Sequence, residues 1–164
     1  MIAIILNGTS SSGKSSIAKR LQARSRVPMI HASLDTFTDM FDWKSVLEAD
    51  QRGCHAAGVD NFHRCLPVLA SSSYPIVVDH VFEKMAWHEA CFRALESRSI
   101  FFVGVYCPLL VLEERERARG DRRVGLARMQ YERVHDGKDY DLELNTAEMS
   151  ADVCAIEILE SIER

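Results

Sequence analysis

Eight residues near the start of the chain, Gly8-Thr9-Ser10-Ser11-Ser12-Gly13-Lys14-Ser15, have the types and spacing that hold a phosphate chain. They fit the pattern G-x-x-x-x-G-K-[ST]. Phosphate oxygens need several donors converging on a small volume. Glycines let backbone N–H groups turn inward with no Cβ in the way. The helix that should follow adds its own free N–H groups and its positive dipole end. In such a loop Lys14 reaches the β- and γ-phosphates and the Ser15 hydroxyl ligates Mg²⁺. The competing explanation is a Gly/Ser-rich turn followed by an exposed lysine. Context separates the two. The apolar run Ile2–Leu6 precedes the loop and reads as a buried strand, and Ile17, Ala18 and Leu21 fall at helical spacing after it. Contacts to a bound ATP and its Mg²⁺ are therefore expected from Gly8 through Ser16.

Two acids are candidates for the rest of the chemistry. Asp79 closes the apolar stretch Tyr74–Val78, the arrangement of an acid that binds Mg²⁺ directly or through water; a solvated or helix-capping aspartate is the alternative. Asp35 follows a second strand and is the candidate base, able to orient an attacking hydroxyl and take its proton. It is equally suited to cap the helix that begins near Thr36. Arg115, Arg119 and Arg122 recur at i, i+4 and i+7, so a continuous helix would put three guanidinium groups on one face. Phosphoryl transfer spreads negative charge that such arginines neutralise. A solvated helix with a Glu113–Arg117 pair is the alternative, and Gly120 breaks the helix where a lid would hinge. Phe37, Met40, Phe41 and Trp43, with Phe82 and Trp87 opposite, either line an apolar acceptor pocket or belong to the core. The histidines His31, His63, His80 and His88 show no spacing that suggests a metal and receive no role.

Strands alternating with helices position these groups. Strands are expected at Val27–Ala32, Tyr74–Asp79, Ile100–Cys107 and Asp141–Asn145, besides the first. Helices are expected at Thr36–Trp43, Phe62–Ala70, Met85–Ser97, from Pro108 to Gly120, at about Val124–His135 and at about Ser150–Glu163. Glu48–Asn61 has two glycines and weak periodicity and reads as loop with at most a helical turn. The alternation implies right-handed βαβ units and a parallel sheet covered on both faces. Sites in such sheets lie at the carboxyl ends of the strands, where Asp35, Asp79 and Asn145 all fall.

The 164 residues suit one domain, and almost half are apolar, enough for a packed core. A formal charge of −4 without a basic run argues against a nucleic-acid partner. Five scattered cysteines without a C-x-x-C pair suggest reduced thiols in the cytoplasm. No apolar run reaches the length of a membrane span.

The chain also resembles the chloramphenicol phosphotransferase family. The similarity rests on Leu6-Asn7-Gly8 with its loop, Asp35 after the second strand, Val78-Asp79-His80-Val81-Phe82, and Val103-Gly104-Val105-Tyr106-Cys107. It extends through Glu116-Arg117-Ala118-Arg119-Gly120-Asp121-Arg122, the Tyr131 and His135 region, Tyr140-Asp141 and Asn145-Thr146. It covers nearly the whole chain in the same order. The resemblance implies an ATP-dependent kinase acting on a hydroxyl of a small molecule, with antibiotic inactivation as the associated role. It implies a three-layer P-loop fold like the nucleoside monophosphate kinases, a sheet ordered 2-3-1-4-5, and a single domain over 1–164 with a lid at about 115–135. It carries the base role onto Asp35 and the lid role onto the Arg115–Arg122 stretch, and it brings Asn145 and Thr146 near the adenine. Two departures accompany it. The Thr36–Ser73 segment looks shorter than the family's, and His80 stands where the family has a second acid. A metabolite or nucleoside kinase of the same fold is the nearest alternative function. A nucleotide-binding regulatory module without an acceptor is the alternative from another class.

Overall fold

The computed structural model describes residues 1–119 and 125–163. Five parallel strands form one sheet: β1 (Ile2–Asn7), β2 (Ile30–Ser33), β3 (Ile76–His80), β4 (Ser99–Tyr106) and β5 (Leu142–Asn145). Their order is β2-β3-β1-β4-β5. Seven helices accompany them among the described residues: α1 (Lys14–Arg24), α2 (Leu34–Thr38), α3 (Glu48–Ala70), α4 (Met85–Ala94), α5 (Leu109–Arg119), α6 (Leu126–Tyr131) and α7 (Ala151–Glu163).

The continuous apolar runs of β1 and β3 follow from burial on both faces. Ala3 and Ile5 join Phe62, Leu66, Val78, Phe82 and Phe102 on the side covered by α3 and α4. Ile4 and Leu6 point the other way, into Ile17, Leu21, Val103, Val105, Ala155 and Ile158 beneath α1 and α7. Register then fixes the site. Leu6 pairs with Asp79 and Asn7 with His80, and Ser33 pairs with Asp79. The ends of β1, β2 and β3 therefore lie at one level. At the opposite end of the sheet, buried Arg98 ties the connection between α3 and β3 to the start of β4. It donates to Ala70 O, to Ser72 O at 2.6 Å and to Tyr74 O at 2.7 Å.

Several expectations change. Glu48–Asn61 is not loop but the first part of α3. Its weak periodicity has a physical cause: almost every residue from Glu48 to Ala57 faces solvent, so no core selects an apolar stripe. The stripe begins with Gly58, Val59, Phe62 and Leu66. Gly58 is needed where α3 crosses α2, since a Cβ there would lie 3.1 Å from the Thr38 methyl. α2 is only five residues long, so Phe41 and Trp43 lie beyond it. The helix expected at Val124–His135 is the shorter α6.

Candidate active site

The phosphate-binding loop is shaped by its neighbours. A Cβ on Gly8 would come within 2.4 Å of the Val105 carbonyl, so only glycine lets β1 leave the sheet beside β4. Gly13 has φ +97° and caps α1 in the left-handed region. Ser11 shares a positive φ of 63°, the one non-glycine to do so among the described residues. The turn closes with Ser12 N donating to Thr9 O at 3.2 Å. Lys14 is buried and donates to Thr9 O at 2.8 Å. Its ammonium thus rests on a loop oxygen, the kind of acceptor that phosphate oxygens would replace.

Asp79 stands behind the loop. The Ser15 hydroxyl donates to Asp79 Oδ2 at 2.6 Å, Lys14 Nζ lies 4.0 Å from Oδ1, and His31 Nε2 lies 3.6 Å from Oδ2. Burial alone would push this carboxyl up; His31, Lys14 and Ser15 together outweigh it and hold the group below the ordinary aspartate range. The structure thus joins Lys14, Ser15 and Asp79 as the sequence suggested. A hydroxyl and an ionised carboxylate in contact are hard oxygen donors of the kind Mg²⁺ takes, the remaining positions going to water and phosphate.

A cavity of about 470 Å³ opens over the start of α1. It is lined by Ser11, Gly13, Ser16, Arg115, Arg119 and Thr146, among others. Arg115 forks onto Thr146, donating to Oγ1 at 2.9 Å and to the carbonyl at 2.7 Å. Thr146 Oγ1 in turn donates to Ser12 O at 2.7 Å. The loop after β5 is thereby tied to the phosphate loop. Asn145 points elsewhere: it accepts from Ala147 N and donates to Glu148, and it borders a separate cavity of about 420 Å³ beside Tyr106 and Glu143. Arg119 ends α5, and Arg122 lies outside the described residues.

Asp35 sits in the first turn of α2. The cap position belongs to Ser33, so the capping explanation for Asp35 does not hold. Phe37 packs edge-on against Phe62, with ring centroids 5.3 Å apart, and Phe41 lies 6.0 Å from Trp43. Phe82 is a correction. It is wholly buried, stacked on His80 at 4.3 Å, and belongs to the core, because Asn7 Oδ1 accepts its backbone N–H and draws the segment inward.

Other groups at the site had no role assigned from the sequence. His63 Nε2 and His80 Nε2 share a hydrogen bond at 3.0 Å. Burial, with His63 adding to it, pushes His80 down to about 3 and keeps it neutral. Glu116, 1% exposed, accepts the backbone N–H groups of Gly125 at 2.7 Å and Ala127 at 3.0 Å. One α5 carboxylate therefore caps the start of α6. Gln130 of α6 is 4% exposed and accepts the Ser10 N–H of the phosphate loop at 2.7 Å.

A phosphate-holding loop at the carboxyl end of a 2-3-1-4-5 sheet is the organisation of the P-loop kinases, and this chain is an ATP-dependent phosphotransferase of that class. It belongs to the chloramphenicol phosphotransferase-like protein family, which it matches over residues 2–163. A relative from Mycobacterium tuberculosis named "Putative O-phosphotransferase" is 25% identical, covering 96% of this chain and 80% of its own. The Mycobacterium tuberculosis APS kinase CysC, solved with AMPPNP and APS, superposes with a TM-score of 0.73 at 18% identity, covering 99% of this chain and 97% of that one. The Deinococcus radiodurans tunicamycin resistance protein gives 0.71 at 19% identity over 98% and 94%. A Sinorhizobium meliloti gluconokinase gives 0.65 at 20% identity over 99% and 91%. These solved structures share the fold.

Proposed function

We propose that the protein moves the γ-phosphoryl group of ATP onto a hydroxyl of a small molecule, with Asp35 as the base. The observation that carries this reading is the common level of three groups. Ser33 and Leu6 both pair with Asp79, so Asp35, Asp79 and the Lys14–Ser15 corner share one end of the sheet. An acceptor on the α2 side can then face a triphosphate on the α1 side.

The loop from Gly8 through Ser16 wraps the phosphate chain, with the first amides of α1 and the Lys14 side chain donating to it. Ser15 and Asp79 would hold Mg²⁺, which when bound neutralises charge on the β- and γ-oxygens. The acceptor oxygen attacks the γ-phosphorus as the bond from phosphorus to the β–γ bridging oxygen breaks. ADP leaves with that electron pair, and the acceptor's proton passes to Asp35. Arg119 and Arg122 belong to a lid at about 115–135 of a single kinase domain and meet the charge of the transferring group. Arg115 and Thr146 border the adenine. Phe37 and Phe41 supply apolar contact to the acceptor. Family membership and the O-phosphotransferase relative support an alcohol as acceptor, with chloramphenicol the first to try and antibiotic inactivation the role it would serve. The five free cysteines suit a cytoplasmic location. No described helix is long and apolar enough to cross a membrane.

The test is an acceptor screen with ADP detection over chloramphenicol, other hydroxylated antibiotics and metabolite alcohols. Acceptor-dependent ADP release with the phosphoryl group found on a hydroxyl oxygen of the acceptor is the expected result. Tight ATP binding with no turnover on any acceptor would overturn the reading in favour of a regulatory nucleotide-binding module.

A further inference from the structure

We infer that Gln130 is a positioning residue for the phosphate-binding loop, held in its working orientation by Glu83. This inference rests on the reading of residues 8–16 as the ATP phosphate site. Gln130 Oε1 accepts the Ser10 N–H at 2.7 Å. Its Nε2 donates to Glu83 Oε1 at 2.9 Å, and Glu83 Oε2 accepts from Arg133 Nη2 at 3.3 Å. A carboxylate can only accept when ionised, so Glu83 takes the amide nitrogen and the amide oxygen is turned to Ser10. Three segments far apart in sequence, the β3–α4 connection, α6 and the phosphate loop, meet in one short chain of hydrogen bonds.

The geometry gives this chain a definite task. Two amides in the front of the loop are consumed inside the protein: Ser12 N by Thr9 O, and Ser10 N by Gln130. The first turn of α1, at Ser15 and Ser16, lacks carbonyl partners one turn earlier in the helix, and its amides are directed to converge on phosphate. Fixing the front of the loop from outside keeps it open over those donors. It also spares the bound nucleotide the ordering cost that a loose Gly/Ser-rich segment would impose. Ser11 is held at a positive φ in the middle of this stretch, so the loop needs an external partner to stay there.

ATP affinity of the whole protein, measured by calorimetry with Mg²⁺, tests the inference without any acceptor. Gln130→Leu removes both polar arms and should weaken ATP binding by roughly tenfold or more, the scale of one buried donor left unpaired. Gln130→Glu keeps an acceptor for Ser10 but sets a carboxylate against Glu83, and should also bind weakly. The double variant Gln130→Glu with Glu83→Gln restores a donor–acceptor pair between the two positions. It should return to within about threefold of wild-type affinity, a rescue that mere packing would not produce. The inference is overturned if Gln130→Leu binds ATP as wild type does or more tightly. It is equally overturned if the double variant is as weak as Gln130→Glu alone. A wild-type protein that fails to bind ATP overturns the phosphate-site reading itself, and this inference falls with it.

Discussion

Lys14 rests on its own loop oxygen at 2.8 Å, within reach of the phosphates that would displace it. Lys14→Ala should leave a folded protein by circular dichroism and lower ADP release by about two orders of magnitude or more. Asp35 lies in a first helical turn that tolerates either Asp or Asn, so Asp35→Asn separates catalysis from folding. The expected outcome is nearly normal ATP affinity by calorimetry with kcat down ~10²-fold; an unchanged kcat would remove Asp35 from the chemistry. His135 gives a pH prediction. The Tyr140 hydroxyl accepts from Asn7 Nδ2 at 2.7 Å and donates to His135 Nδ1 at 2.8 Å, which requires a neutral ring. Burial, with nearby Lys138 and Lys14 adding to it, lowers His135 to about 4. A folded pKa below the unfolded value of about 6.5 means the unfolded chain takes up the proton first. The contribution is therefore present above about pH 6.5 and is lost as pH falls towards 4. Denaturant titrations should show that loss, and His135→Asn should make it shallower, with buried His80 still contributing a loss of its own. Lys14, Ser15 and Asp79 were legible in the sequence because each belongs to a local pattern. Gln130 and the His63–His80 pair were not. Their partners lie 120 and 17 residues away, and no spacing rule connects them.

At the scale of elements, one buried carboxylate joins α5 to α6. Glu116 accepts two amides at the start of α6, so its carboxylate ties α6 to the helix that Arg119 ends. Glu116→Ala would leave two amides without their acceptor, costing about 1–3 kcal/mol. Faster amide exchange at Gly125–Ala127, with β1 and β3 still protected, is the expected signature. If the two arginines meet the transferred group, Arg119→Ala and Arg122→Ala should lower kcat more than they raise the KM for ATP. Unchanged constants for both would take them out of the mechanism. At this scale the sequence was most readable where two layers enclose a strand, as in Ile2–Leu6 and Ile76–Val78. It was least readable in Glu48–Ala57, whose mostly exposed faces carry no pattern to read.

For the whole molecule, nucleotide binding and stability are one equilibrium. ATP with Mg²⁺ at a hundred times its Kd should stabilise the fold by about 2.7 kcal/mol. That raises Tm by roughly 5–10 °C for a chain of this size. The shift should shrink when EDTA removes the metal and nearly vanish in Lys14→Ala. The sheet order itself has a consequence in time. β1 is the first strand to be made and the central one in space, with β3 on one side and β4 on the other. Ile2 finds its β4 partner only at Ser99, so the ribosome must deliver about a hundred residues before the first strand is enclosed. At ~5–20 residues per second, that apolar strand waits roughly 5–20 s for its second neighbour. Nascent chains arrested before β4 emerges should remain protease-sensitive and bind chaperones, and those arrested after β5 has cleared the exit tunnel should not.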